Sequence, residues 1–107
     1  MILLNIVTLK DFKQDISDSL KQSELVKMFS FINLDEHSDQ QIMNVNMSKK
    51  DLVVGYTEKI KLEVLISENQ LNMLEQLLTN IKGLEANSYS WTTEIKNLRL
   101  FKKQNND

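Results

Sequence analysis

Cysteine is absent from the 107 residues. That removes disulfides, thiol catalysis and cysteine-based metal sites together. Only Gly55 and Gly83 supply glycine, so no glycine-rich loop can cradle a phosphate chain. Arginine occurs once, at Arg99, and histidine once, at His37, which excludes a surface built for bidentate recognition of many phosphates. Thirteen basic residues face fifteen acidic ones; a general nucleic-acid binder carries a basic surplus, so that class is set aside. No apolar run reaches the length of a membrane span. The opening Met1-Ile-Leu-Leu-Asn5 is short and lacks the basic start of a signal peptide. A cytoplasmic protein is the expectation. Catalytic groupings are missing too: there is no Ser/His/Asp set, no HExxH and no paired-carboxylate motif, so a non-enzyme is expected.

The centre of the chain is Glu58–Ile66. Ile60, Leu62, Val64 and Ile66 alternate with Lys59, Lys61 and Glu63, the pattern of a strand with one buried face. Ser67 and Gln70 are spaced as a capping box opening a helix over Glu68–Lys82. Leu71, Leu74, Leu77, Leu78 and Ile81 form its apolar stripe, and Gly83 stands at the C′ position. Upstream, Ile2–Leu9 is apolar on both faces and reads as an interior strand. Asp11 and Gln14 form a second candidate capping box, for a helix with Phe12, Ile16 and Leu20 on one side. Val26–Leu34 reads as strand two, with Val26, Met28 and Ile32 on one face and Phe29 and Phe31 on the other. Asn87–Ile95 reads as strand four, with Tyr89, Trp91, Thr93 and Ile95 together and Trp91 and Tyr89 expected in a core or interface.

The order strand–helix–strand–strand–helix–strand predicts an α+β, ferredoxin-like βαββαβ sandwich: an antiparallel four-stranded sheet with two helices on one face. Right-handed crossovers place strands one and three in the middle. The second sheet face, with Phe29 and Phe31 or their neighbours, is left for a further subunit. A single domain spans 1–101, followed by a polar tail, 102–107, expected to fray. Within the domain, 35–55 is too long for a hairpin turn, and such loops are usually functional or disordered.

Two constellations have recognisable chemistry. His37 lies among Asp35, Glu36 and Asp39; imidazole and carboxylates suit zinc, nickel or divalent copper, with further ligands pooled between subunits. Met43 and Met47 are four apart and could serve monovalent copper, although methionines so placed are more often packing filler. Lys49, Lys50, Lys59 and Arg99 are the cations available to an anionic ligand such as a nucleotide. The bland alternatives are a solvated acidic turn and a solvated basic loop.

Phe29-Ser30, the acidic segment around His37, and MSKKDLVVGYTEKIKLEVLI running into ENQLNMLEQLL together resemble a small uncharacterised bacterial PII-like family. In that family Ser-x-x-Glu-Gln-Val-x-Gly-Arg precedes a regular strand and a leucine-rich helix, and a Tyr-Trp type motif marks the last strand. Phe29, Ser30, His37, Ser48, Val53, Gly55, Leu71 and Trp91 match the pattern. Tyr56 stands where the family has arginine, Ser38 where glycine often follows the histidine, and Asp51-Leu52 for Glu-Gln. The resemblance implies a trimeric ferredoxin-like regulator related to PII signalling proteins, often encoded beside heavy-metal efflux pumps. It further implies a 35–55 loop and subunit clefts that sense a metal ion or small ligand, and a membrane transporter as partner. The contrasting expectation is a cofactor-free oxygenase or isomerase on a dimeric ferredoxin-like barrel, with its pocket around Trp91.

Overall fold

The computed structural model describes residues 1–37 and 55–101. Its elements are β1 (Ile2–Leu9), a 3-10 turn (Lys10–Phe12) running into α1 (Lys13–Gln22), β2 (Phe29–Glu36), β3 (Thr57–Ile66), a second 3-10 turn (Glu68–Gln70) running into α2 (Leu71–Thr79), a third (Glu85–Asn87), and β4 (Tyr89–Glu94). The sheet order is β2-β3-β1-β4 and every pairing is antiparallel. This is the ferredoxin-like α+β sandwich, with β1 and β3 central as the crossover rule requires.

The sheet's two faces follow from register. Ile2, Leu4 and Ile6 lie opposite Ile66, Val64 and Leu62, and directly opposed residues of an antiparallel pair share a face. These six join Ile16 and Leu20 of α1 and Leu74 and Leu78 of α2 in one core. Phe12, Leu71, Leu77 and Ile81 pack at its margin, so both helical stripes read from the sequence do face the sheet. No helix among the described residues is long and apolar enough to cross a membrane.

Several expectations need correction. Strand two is Phe29–Glu36 rather than Val26–Leu34, because Leu25 and Val26 drop onto the core edge before the ladder starts. Phe29 and Phe31 face the helices, meeting edge-to-face at 5.8 Å with Lys13 above Phe31; Ile32 is the exposed residue of the opposite face, at 44 %. Neither capping box forms: a 3-10 turn precedes each helix, and neither Asp11 nor Ser67 makes a side-chain cap bond. Helix two is shorter than Glu68–Lys82. Its chain continues in turns, Ile81 N–H to Leu78 and Leu84 N–H to Ile81, with Gly83 at φ +86°, a conformation glycine adopts without strain. Strand four loses Asn87 to the third 3-10 turn, where its side-chain amide donates to the Gly83 carbonyl at 2.7 Å. Asp35 and Glu36 belong to β2, so the β2–β3 connection starts at His37.

Leu62 is fully buried in the central strand against both helices. Leu62→Ala is expected to lower unfolding free energy by about 2–5 kcal/mol, whereas Ile32→Ala should stay within about 0.5 kcal/mol. Urea titration of both variants measures the difference.

Candidate functional site

The sheet face turned away from the helices is polar and aromatic. Its rows, read across from β2 to β4, are Ser30–Glu63–Asn5–Trp91 and Ile32–Lys61–Val7–Tyr89, then Leu34–Lys59–Leu9, with Glu36 opposite Thr57 at the open end of the β2–β3 pair. Alternation puts every lysine of β3 here, since the core claims Ile60, Leu62, Val64 and Ile66.

Lys59 is the centre of this face. Its side chain is 1 % exposed and its Nζ lies 2.7 Å from Glu36 Oε1. The two are diagonal neighbours across the β2–β3 ladder, within reach for long side chains. The other carboxylate oxygen of Glu36 accepts a hydrogen bond from Tyr89 Oη at 2.6 Å. Lys59 Nζ also lies 5.7 Å from the centre of the Tyr89 ring. Tyr89 and Glu36 stand on opposite edge strands, so their contact crosses the whole face; sheet twist brings such diagonal corners together. Val7, in the row of Tyr89, is only 2 % exposed despite facing away from the helices.

The ammonium is held by charge more than by directed bonds. Among the described residues none of its three protons meets an acceptor in hydrogen-bond geometry. Removing an ammonium from water is costly, and one carboxylate off the hydrogen-bond axis offsets only part of that cost. Tyr89 feels the same surroundings. Burial, the hydrogen bond to Glu36 and the charge of Glu36, in that order, push its hydroxyl from 10.0 up to about 12. That is the reverse of the shift that would make it a base.

A second, shallower row continues the pattern. Lys61 Nζ sits 5.8 Å from the Trp91 ring centre and 3.6 Å from Glu63. Trp91 stacks on Tyr89 with 6.2 Å between centroids and is 43 % exposed. Beneath, buried Asn5 donates to Thr93 Oγ1 at 3.3 Å and to the Leu3 carbonyl at 3.2 Å. The expectation that Tyr89 and Trp91 share a face holds, but that face is the open one and not the core.

The sequence-derived candidates scatter. Glu36 and Lys59, assigned to different sites, are each other's ion-pair partners. Asp35 points to the opposite side of β2, into a crevice of about 260 Å³ lined also by Lys10, Asn33, Leu34, Glu58 and Lys59, where Lys10 and Glu58 are paired. His37 is exposed and its ring lies 5.4 Å from that of Tyr56. Arg99 is exposed beyond β4. Asp39, Lys49 and Lys50, like Met43 and Met47, lie outside the described residues. Among the described residues no group of three or more His, Asp or Glu could hold a metal ion. Sequence reasoning missed Tyr89 as a partner of Glu36; the available signal was its place on the same strand parity as Trp91.

No family model and no curated protein matches the chain. Solved structures do. A DUF3240 family protein from Shewanella baltica, solved at 2.40 Å, superposes with a TM-score of 0.73 over 94 % of this chain and 96 % of that one, at 23 % identity. Likeness at that identity shows the fold alone.

Lys59→Met removes the buried ion pair with Glu36, and a cost of about 3–5 kcal/mol is expected; Lys59→Met with Glu36→Leu should recover most of it. Guanidinium titrations at one pH check both. The raised Tyr89 group favours its protonated form when folded, so its contribution is complete below pH 10.0 and is lost as pH rises through about 12. Stability should therefore fall across that interval more steeply in the wild type than in Tyr89→Phe, as read by denaturant midpoints.

Proposed function

We propose that this chain is a PII-like regulatory protein: a homotrimer that senses a small ligand or metal ion and passes the signal to a protein partner. The β2–β3 connection and the clefts between subunits are the sensing parts. A metal-efflux transporter is the partner that the sequence resemblance suggests. The observation that carries the reading is the buried Lys59–Glu36–Tyr89 cluster, which stands at the root of that connection on the sheet face turned away from α1 and α2.

The physical logic is one of coupling. Glu36 is the last residue of β2 and His37 the first of the connection, so anything that pulls on Glu36 reaches both the connection and the open face. A ligand that shifts such an element must bind its two states differently. Lys59, with unmet hydrogen-bonding capacity, and Lys61 beside it favour an anionic ligand or an acidic side chain of a neighbouring subunit. The aromatic pair Tyr89 and Trp91 supplies the flat, partly exposed surface that subunit interfaces favour.

A thermal-shift screen of metal-free protein, with mass in solution measured in the same buffers, tests this. The panel holds zinc, copper, nickel, ATP, ADP, AMP, cyclic nucleotides and bicarbonate. A trimer stabilised by at least one of them is expected, by about 2.7 kcal/mol at a concentration near 100 times Kd. Metal stabilisation lost in His37→Ala assigns the connection as a metal sensor. Nucleotide stabilisation lost in Lys61→Gln assigns the open face and cleft. A monomer or dimer indifferent to the whole panel contradicts the reading.

A further inference from the structure

Beyond β4 the chain does something the sheet does not require. Ile95 N–H still donates to the Met1 carbonyl at 3.1 Å, extending the β1–β4 ladder by one bond. Asn97 then takes φ +57°, a left-handed conformation that asparagine tolerates better than most residues, and the chain leaves the sheet. The residues that follow are apolar and bare: Leu98 is 57 % exposed, Leu100 79 % and Phe101 104 %. In an extended segment Leu98 and Leu100 share one side. Lys96 and Arg99, both exposed, give this arm a positive charge.

Elsewhere on the molecule lies a groove of matching character. Between α2 and β4 an open cleft of about 220 Å³ has a floor of Leu4, Ile6, Leu78 and Leu84 and carries Glu75 and Glu85 on its lining. It is smaller than pockets that take drug-sized ligands, roughly 300–1,000 Å³, and suits one or two side chains. Along it, β4 is the last strand of the sheet, and an edge strand offers unpaired N–H and C=O groups to an added strand.

We propose that the arm Lys96–Phe101 of one copy docks in the α2–β4 groove of a second copy, with Leu98 and Leu100 against the leucine–isoleucine floor and Lys96 and Arg99 beside Glu75 and Glu85. The signs are complementary: a basic apolar segment meets an acidic-rimmed apolar cleft. The groove sits at the Tyr89–Ser90 end of β4, whereas the arm departs from the Glu94 end, and the arm's bare side chains show that it does not occupy its own groove. Such a head-to-tail contact closes into a ring or is exchanged reciprocally between two copies. It involves neither Lys59 nor Glu36 and stands whether or not the open face binds a ligand.

The absence of native cysteine makes a clean cross-linking test available. Ser90, exposed and lining the groove, and Phe101 are replaced in the full-length chain as Ser90→Cys and Phe101→Cys. Under mild oxidation the double variant is expected to link chains covalently, at least tenfold more than either single variant. Adding Leu98→Glu and Leu100→Glu, both exposed and so harmless to folding, should abolish the link while leaving far-UV circular dichroism unchanged. A disulfide formed within one chain, equal linking by a single-cysteine variant, or a link insensitive to the two glutamates would each overturn the proposal.

Discussion

One buried charge pair constrains the side of the sheet that faces away from α1 and α2. β3 must give its apolar alternate positions to the core, so its lysines fall on the other face whatever their surroundings. Lys61 remains half-buried near Glu63, but Lys59 lies under Tyr89 with almost no access to water. An ammonium so placed needs an anion, and among the described residues Glu36 supplies it across the β2–β3 ladder. Tyr89 completes the arrangement from the far edge strand. A fully apolar replacement of similar shape would often be as stable or more so. What the ion pair fixes here is a position, that of the end of β2.

That placement links local structure to the proposed role. The two roots of the β2–β3 connection, Glu36 and Thr57, are opposed across the ladder. Fixing Glu36 by a charged contact and a hydroxyl bond fixes where the connection begins. The same contacts hold the Tyr89–Trp91 stack over the sheet. A perturbation of the connection thus has a physical route to the aromatic surface, through one carboxylate and two partners, without any change in the core.

Much of the fold was legible in the sequence because it rests on periodicity. The alternation in 60–66 and the leucine spacing in 71–78 survive intact, and β1 was readable from its apolar character on both faces. What failed rests on finer balances. Strand two was misplaced because Val26 and Phe29 are both apolar and both pack against the core; only the start of the ladder, at Phe29 opposite Val64, distinguishes them. The capping boxes failed because a 3-10 turn satisfies the first N–H groups with backbone carbonyls, Gln70 to Ser67 among them. At the candidate site, Glu36 and Lys59 were each visible as charged residues but were assigned to separate chemistries. Their pairing depends on β2–β3 register, and the part played by Tyr89 depends on sheet twist; neither can be read along the chain.

Amide hydrogen exchange compared between wild type and Lys59→Met tests the central claim most directly, since it asks whether the ion pair holds the roots of the connection. The account predicts accelerated exchange concentrated at 34–37 and 56–59 beyond any uniform loss of global stability, with β1 and α2 moving only by that uniform amount. Exchange that rises equally in every element, or that leaves the ends of β2 and β3 no faster than their centres, would contradict it.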